Sequence, residues 1–237
     1  MRCFPLRVLL VAMGSSLAAC NAAVDPIFPG DGCPEMPIRG PEKFANVQPE
    51  AVIDDFEDGN LKVVEVAGRT GAWYSFPGGT QAAAGQATTR CVARGLRSGH
   101  FIVTSSAADV GTGMNWNVSF DGMFPNVLSY DASPWSGFSF WIASGDIADA
   151  ATEMVVGVNT PEVLAGNAIC TVCGDYHRVT IPLTRNWTRW SIRFDQLKQD
   201  GTGQPPVPLL PKEHLMNFIF WPKNPFDIWI DDLRFEP

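Results

Sequence analysis

Short runs of β-branched and aromatic residues, separated by clusters of Gly, Asn, Asp and Pro, fill the chain from residue 51 to its end. Runs bounded by turn-forming residues in this way predict β-strands. In Arg189–Phe194 apolar and polar residues alternate, as in a strand with one buried face and one wetter face. The pattern predicts ten strands, at Ala51–Phe56, Ala72–Phe76, His100–Thr104, Trp116–Phe120, Gly137–Ala143, Glu153–Val158, Arg178–Leu183, Arg189–Phe194, Leu215–Trp221 and Phe226–Phe235.

Helix signals are scarce by comparison. Only Asp195–Gln199 and Lys212–Met216 are compatible with a helical turn. Many short strands with so little helix predict an all-β domain, built as an antiparallel sandwich of two packed sheets.

The first 20 residues have the layout of an export signal. Arg2 and Arg7 give a basic start, and an apolar run from about Val8 to Ala19 follows. This run is shorter than the roughly 20 apolar residues that a membrane-spanning helix needs. The sequence Leu-Ala-Ala-Cys at 17–20 resembles a bacterial lipobox, which predicts that Cys20 is lipidated and becomes the first residue of the mature protein. The alternative is an ordinary secretory signal with an incidental cysteine.

Residues 21–50 are rich in Pro, Gly and Ala and lack a sustained period, which predicts a flexible tether before a folded domain at 51–237. Asn21 is not the Asp that retains many lipoproteins in the inner membrane of enteric bacteria, so we expect the outer membrane. Loss of Arg2 and Arg7 with the signal lowers the count of Lys and Arg from 17 to 15 against 25 Asp and Glu, a formal charge of −10. This acidic excess disfavours nucleic acid and anionic lipid as partners. No later apolar stretch of the sequence approaches the length of a membrane span, so the lipid would be the only membrane attachment.

Four cysteines remain in the exported chain: Cys33, Cys91, Cys170 and Cys173. An even number in an oxidising compartment predicts disulfides, and four cysteines allow three pairings between which the sequence does not choose. A zinc site formed by Cys170, Cys173 and His177 is the alternative, although no fourth ligand is apparent from the sequence.

The last predicted strand, Phe226–Phe235, carries apolar residues on both faces, which favours a central position in a sheet. Alternation along this strand assigns two sets of apolar residues to opposite faces: Phe226, Ile228 and Ile230, and Trp229, Leu233 and Phe235.

Two acidic clusters lie at the ends of the domain. Asp55, Glu57 and Asp58 follow the first predicted strand, and Asp231 and Asp232 lie in the last. Two such clusters would repel each other across a paired sheet unless a cation lay between them, and calcium takes six or more oxygen ligands. The sequence therefore predicts a structural calcium ion held by these acids. The alternative is that the first cluster only forms a turn.

Six short motifs, in this order along the chain, resemble exported β-jelly-roll domains of the galactose-binding-like superfamily. They are Ile-Asp-Asp-Phe-Glu-Asp-Gly at 53–59, Gly71–Tyr74, Tyr130–Ser133, Ser136–Trp141, Leu183–Trp187 and Trp-Ile-Asp-Asp-Leu-Arg-Phe at 229–235. Family-11 carbohydrate-binding modules and related bacterial lipoproteins are the most similar members. The resemblance implies a jelly-roll sandwich whose concave face holds a polysaccharide or oligosaccharide, with a structural calcium ion away from that face.

Candidate carbohydrate-binding residues follow from this resemblance and from their position near turns. Aromatic rings pack on the apolar faces of sugars, and carboxylates and imidazoles take the hydroxyl groups. The candidates are Trp73, Tyr74, Trp116, Trp135, Trp141, Asp175, Tyr176 and His177. The alternatives are that any one of the tryptophans belongs to the core and that Asp175 only caps a turn.

Enzymatic activity has little support in the sequence. The chain contains no Gly-x-Ser-x-Gly elbow, no His-Glu-x-x-His motif and no phosphate-binding glycine loop. We therefore predict a non-catalytic, lipid-anchored carbohydrate-binding protein of the cell envelope. The alternative is a structural or assembly lipoprotein that uses the same face to bind another envelope protein.

Overall fold

A computed structural model of the chain describes residue 33 and residues 48–66, 69–76, 83–103, 111–116, 129–145, 152–165, 169–221 and 226–237. Eleven strands lie in this part of the chain: β1 (Val52–Asp54), β2 (Gly71–Phe76), β3 (Ala83–Thr88), β4 (Ser98–Val103), β5 (Gly111–Trp116), β6 (Gly137–Ser144), β7 (Glu153–Asn159), β8 (His177–Pro182), β9 (Thr188–Arg193), β10 (Asn217–Trp221) and β11 (Phe226–Glu236). The helical elements are short 3-10 turns at Pro49–Ala51, Pro161–Val163, Phe194–Gln196 and Lys212–His214. Among these residues no helix has the length and apolar character needed to cross a membrane.

The strands form two antiparallel sheets. The six-stranded sheet has the order β3-β4-β11-β6-β9, with β1 also paired to β11. The five-stranded sheet has the order β2-β5-β10-β7-β8. The prediction of an all-β antiparallel sandwich of two sheets is confirmed, and so is the central position of the last strand. The two predicted helical turns are confirmed as 3-10 turns.

Phenylalanine side chains from both sheets form the centre of the core. Phe218 and Phe220 of β10 are fully buried and point from the five-stranded sheet toward β6. Phe218 meets Phe138 edge to face at a centroid distance of 4.7 Å, and Phe220 meets Phe140 in the same way at 5.1 Å. Edge-to-face contacts are a favoured geometry of aromatic pairs. These contacts fix which face of β10 is turned inward.

A β-bulge in β11 changes which side chains face the core. The register between β11 and β6 shifts within residues 231–234, where Asp232 has a φ of 54°. Ile230 before the bulge and Leu233 and Phe235 after it all belong to the core. The assignment of Leu233 and Phe235 to the opposite face, made from simple alternation, is therefore wrong, because a bulge inserts an extra residue into the period.

Two strands differ from the sequence predictions. β3 reads Ala-Ala-Gly-Gln-Ala-Thr and was not predicted, because it lacks the branched and aromatic residues typical of strands. It pairs with β4 along its whole length, and Gly85 leaves room for a ring there, since a Cβ atom would lie 2.6 Å from Cδ1 of Phe101. β5 ends at Trp116, where the predicted strand Trp116–Phe120 begins, and residues 117–120 lie outside the described residues.

The four cysteines form two disulfides, as predicted. The pairs are Cys33–Cys91 and Cys170–Cys173, which settles the choice among the three possible pairings and leaves no thiolate for a zinc site. Cys33 belongs to the segment predicted as a tether, and its bond attaches that point of the chain to the loop between β3 and β4.

We expect replacement of both Cys33 and Cys91 by Ala to lower the free energy of unfolding by about 4 kcal/mol, because the bond closes a long loop in the unfolded chain. Its cysteines are 58 residues apart, against 3 for the Cys170–Cys173 bond. Replacement of Cys170 and Cys173 by Ala is the matched control and should cost about 2 kcal/mol. Urea unfolding without reductant measures both losses, and equal losses would contradict this explanation.

Candidate functional site

The outer face of the five-stranded sheet carries a row of side chains set by alternation along β10. Because Phe218 and Phe220 point into the core, Asn217, Ile219 and Trp221 point outward. Ile219 pairs with residue 113 of β5 and with residue 157 of β7, and both of those residues are glycine. On either side of Ile219, the paired residue of the neighbouring strand therefore has no side chain of its own.

A cavity of about 550 Å³ opens on this face. Volumes of this size are typical of small-ligand sites, which are roughly 300–1,000 Å³. Aromatic, aliphatic and amide side chains line it, together with one guanidinium group. The lining residues are Tyr74, Asn159, Leu164, Gly174, Tyr176, Arg178, Asn217, Ile219 and Trp221.

The ring of Tyr176 packs closely against Gly157 of β7. A Cβ atom on Gly157 would be 2.9 Å from Cδ2 of Tyr176, so only glycine at this position of β7 lets the ring approach so closely. The ring of Trp221 lies 6.2 Å away between centroids, tilted by 47°. Tyr74 is the third aromatic residue of the cavity, and burial together with the neighbouring Tyr176 raises the pKa of its hydroxyl. The Tyr74 hydroxyl is therefore protonated at neutral pH.

The charge of Arg178 is balanced within the protein. Its guanidinium lies 5.0 Å from the centre of the Tyr176 ring, within the range of a cation–π contact. The same group forms an ion pair with Asp200 and lies 3.9 Å from a carboxylate oxygen of Asp175. The cavity thus offers an N–H donor group without a net positive charge.

Residues 170–174 precede Tyr176 and contribute Gly174 to the cavity lining, and backbone hydrogen bonds hold this segment in place. Gly174, with a φ of 93°, donates its N–H to the carbonyl of Val163 at 2.8 Å. The N–H of Thr171 donates to the carbonyl of Gln204 at 2.7 Å. The Cys170–Cys173 disulfide closes the turn between these two contacts, so the segment before Tyr176 is fixed at several points.

Asp175 organises the neighbouring loop instead of facing the cavity. The residue is 3% exposed, and its carboxylate accepts hydrogen bonds from the N–H groups of Asp200 at 2.8 Å and of Gly201 and Gly203 at 2.9 Å. Burial alone raises the pKa of Asp175, but the backbone donors of Gly203, Asp200 and Gly201 outweigh it and hold the pKa below its ordinary value. The position predicted from the sequence, within reach of a ligand, is therefore wrong for Asp175.

Two further candidates are also buried. Trp73 belongs to the core, with its ring 5.0 Å from that of Phe101, and its indole N–H donates to Asp54 at 2.6 Å. Its predicted position at a groove rim is wrong, because Tyr74 and not Trp73 takes the outward place on β2. His177 is 1% exposed, and burial lowers the pKa of its imidazole, so the ring is neutral and turned away from the cavity.

The other predicted tryptophans lie elsewhere. Trp135 stacks on Phe235 at a centroid distance of 5.5 Å, next to the end of the chain. Trp141 is on the six-stranded sheet and packs against a cluster that includes Trp187 and Trp229. Trp116 is the last residue of β5, and its side chain lies outside the described residues. Of the eight predicted residues, the structure brings Tyr74 and Tyr176 together at the cavity.

Several cavity residues were not predicted. Asn217, Ile219 and Trp221 alternate with Phe218 and Phe220, so the period of two in the predicted strand could have assigned them to one face. Nothing in the sequence says which face of that strand is outward, and the remaining residues come from segments far apart in the chain. The unpredicted residues are Asn159, Leu164, Gly174, Arg178, Asn217, Ile219 and Trp221.

The acids predicted to hold calcium have other hydrogen-bond partners. Glu57 accepts from the N–H of Leu96 at 2.7 Å, and Asp231 accepts from the N–H of Arg94 at 2.8 Å. Asp55 and Asp58 accept from backbone N–H groups two residues later, as in turns, and Asp232 forms an ion pair with Arg234. Across the part of the chain that the structure describes, no three His, Cys, Asp or Glu side chains are grouped as metal ligands. Calcium held by Asp55, Glu57, Asp58, Asp231 and Asp232 therefore stays a prediction from the sequence.

No model of a known protein family matches the chain, and no curated protein sequence matches it. Solved structures do. The family 11 carbohydrate-binding module of the cellulosomal cellulase Lic26A-Cel5E of Clostridium thermocellum is 18% identical with a TM-score of 0.50, and the match covers 78% of this chain and 92% of that one. A family 11 module from the same organism, in complex with a β-1,3-1,4-mixed-linked tetrasaccharide, is 16% identical with a TM-score of 0.50, covering 78% and 94%.

The two sheets, their antiparallel order and these matches define the fold as a β-jelly roll. Within that class, the structure is similar to family 11 modules, and the resemblance drawn from the six sequence motifs is confirmed at the level of the fold.

We expect Asp175→Asn to lower the free energy of unfolding at pH 7 by about 1–3 kcal/mol, because the amide replaces a carboxylate that accepts three backbone hydrogen bonds. A folded-state pKa below the unfolded value stabilises the wild-type protein above about pH 4, and this stability is lost as the pH falls through the folded pKa. The free energy of unfolding of the variant should therefore fall less between pH 7 and pH 3 than that of the wild-type protein. Urea unfolding at pH 7 and pH 3 measures it.

Asp195→Asn is the matched control, because Asp195 is exposed and pairs with the exposed Arg193. It should leave the urea midpoint near that of the wild-type protein. A loss for Asp175→Asn no greater than that of the control would contradict the role assigned to the buried carboxylate.

Proposed function

We propose that the protein is a non-catalytic glycan-binding protein that holds a neutral oligosaccharide in the cavity of the five-stranded sheet. The observation that carries the proposal is the cavity lining, in which Tyr74, Tyr176 and Trp221 occur together with the amide groups of Asn159 and Asn217. Sugar rings have apolar C–H faces and polar edges, so they need both aromatic surface and a few directed polar groups. A flat docking face for a protein partner needs no such combination.

Charge favours a neutral glycan over an acidic one. Arg178 is the charged residue of the described lining, and Asp200 and Asp175 balance it. The mature chain carries a formal charge of −10, which repels polyuronates at low salt. Binding to a neutral glycan should therefore survive high salt, whereas binding to a polybasic protein would not.

The lining also favours binding without hydrolysis. Glycoside hydrolysis in most families uses two carboxyl groups across the scissile bond. The residues that line the described cavity include no Asp or Glu. The family 11 modules with the same fold support a carbohydrate-binding role for this chain.

The export and anchoring proposals rest on the sequence. The Leu-Ala-Ala-Cys segment after a short apolar run supports lipidation at Cys20, and Asn21 supports the outer membrane. Cys33 is bonded to Cys91, so the stretch between the anchor and the first attachment to the domain would be residues 21–32. Calcium bound by the terminal acids remains a prediction that rests on sequence alone.

We expect Trp221→Ala or Tyr176→Ala to weaken glycan binding by about fivefold, because each aromatic platform contributes about 1 kcal/mol. Affinity electrophoresis in gels cast with mixed-linked β-glucan, xyloglucan, glucomannan or xylan measures retention, and calorimetry measures affinity. Trp135→Ala is the matched control, since Trp135 lies outside the cavity, and it should bind as the wild-type protein does.

Retention of the wild-type protein by polygalacturonate but by none of the neutral polysaccharides would contradict the neutral-glycan proposal. Absence of retention by every glycan would overturn glycan binding and favour the envelope-assembly alternative.

Lipidation predicts that the wild-type protein partitions into the detergent phase of a Triton X-114 extract. Cys20→Ala should shift it to the aqueous phase or stop its processing, because stable anchoring needs more than one acyl chain and this variant has none. Cys3→Ala, within the leader, is the control and should leave partitioning unchanged. Wild-type protein in the aqueous phase would overturn the proposed anchor.

A further inference from the structure

We infer that Asn217 is a specificity-determining residue that selects the bound sugar through one hydroxyl group. The inference rests on the proposed function, because it concerns the same cavity. It goes further by assigning one hydrogen bond of the ligand to one atom of this chain, the side-chain carbonyl oxygen Oδ1 of Asn217.

The geometry of Asn217 points to a missing partner. The residue is 8% exposed and lines the cavity, and its Oδ1 atom is buried with no hydrogen-bond partner among the residues that the structure describes. A buried acceptor without a donor costs stability, and the large majority of buried polar side-chain atoms do have a partner. A side chain that lines the cavity therefore carries a buried acceptor that a ligand donor could satisfy.

Asn217 is the polar residue of β10, and its partner on β5 is Asn115, whose side chain lies outside the described residues. The next four residues of β10 are Phe, Ile, Phe and Trp, and an apolar side chain at 217 would continue the pattern. Asn217 pairs across the sheet with Asn159 of β7, and both side chains line the cavity. Directly opposed residues in an antiparallel pair have Cβ atoms about 4.5–5.5 Å apart, so the two side chains are neighbours on this face.

A sugar hydroxyl matches this site chemically. It donates a hydrogen bond to Oδ1 of Asn217, and its own oxygen can accept one from the neighbouring amide. A site built to bond a hydroxyl discriminates strongly against an analogue that lacks it, because the buried protein group is again left unpaired. The aromatic residues then supply contact area, while the amide decides which sugar, in which orientation, is accepted.

The first test needs no ligand. Asn217→Leu has a similar size and removes the unpartnered acceptor, so the melting temperature of the free protein should rise by about 2–4 °C. Asn186→Leu is the control for the change of residue type, because Asn186 is exposed, and it should not raise the melting temperature. An unchanged or lower melting temperature for Asn217→Leu would mean that the acceptor is already satisfied, and would contradict the inference.

The second test uses four neutral tetrasaccharides as probes: the β-1,3-1,4-mixed-linked glucan tetrasaccharide, cellotetraose, xylotetraose and mannotetraose. Calorimetry with the wild-type protein selects the tightest binder, and mono-deoxy analogues of that sugar are then measured. We expect one deoxy position to lose about tenfold in affinity in the wild-type protein, since one buried hydrogen bond is removed. Asn217→Leu should bind the parent sugar about tenfold more weakly and show no further loss for that analogue.

The outcomes separate the inference from the proposed function. If the wild-type protein binds none of the tetrasaccharides, both are overturned. If it binds and Asn217→Leu binds equally well, the inference is wrong and the proposed function stands. If Asn217→Leu weakens the parent and every deoxy analogue by the same factor, Asn217 does not select a hydroxyl. If the wild-type protein binds every mono-deoxy analogue as tightly as the parent sugar, the inference is also overturned.

Discussion

The packing of Phe218 and Phe220 against Phe138 and Phe140 is the contact on which the site depends. It joins the two sheets and fixes the inward face of β10. Because the side-chain period of a strand is two, a shift of one residue would turn the phenylalanines outward and turn Asn217, Ile219 and Trp221 toward the core. The cavity therefore cannot be lost by a slip of register without losing the core as well. The same contact that stabilises the fold turns the residues that line the cavity outward.

A second layer of structure places the aromatic ring of Tyr176. Gly157 leaves room for the ring on the sheet. Asp175, which directly precedes Tyr176, accepts hydrogen bonds from the loop at 200–203 and so fixes the backbone next to the ring. The Cys170–Cys173 disulfide restrains the segment leading to both. Ligand sites that are built before binding lose less conformational entropy on association. In the proposed site these buried groups would be positioning residues that act on a ligand only through Tyr176 and Arg178.

Local patterns predict the strands of this domain well and the site poorly. Alternation in Arg189–Phe194 and the many apolar residues of Phe226–Phe235 both reflect which side chains are buried, and burial is visible in the order of apolar and polar residues. β3 is a strand because β4 offers it a partner, and the bulge at Asp232 depends on pairing with β6, so neither follows from local composition. For the site, their position near turns suggested both Trp73 and Tyr74. The structure separates them, because Trp73 points from β2 into the core and Tyr74 points outward to the cavity.

The central claim is that a neutral glycan occupies the outer face of the five-stranded sheet. Titration of the ¹⁵N-labelled protein with the mixed-linked glucan tetrasaccharide, followed through the indole N–H signals of its eight tryptophans, tests it most directly. The account predicts that the signal of Trp221 moves with saturation while those of Trp141, Trp187 and Trp229, on the side of the six-stranded sheet, stay in place. Movement of these three signals with Trp221 unchanged would contradict it.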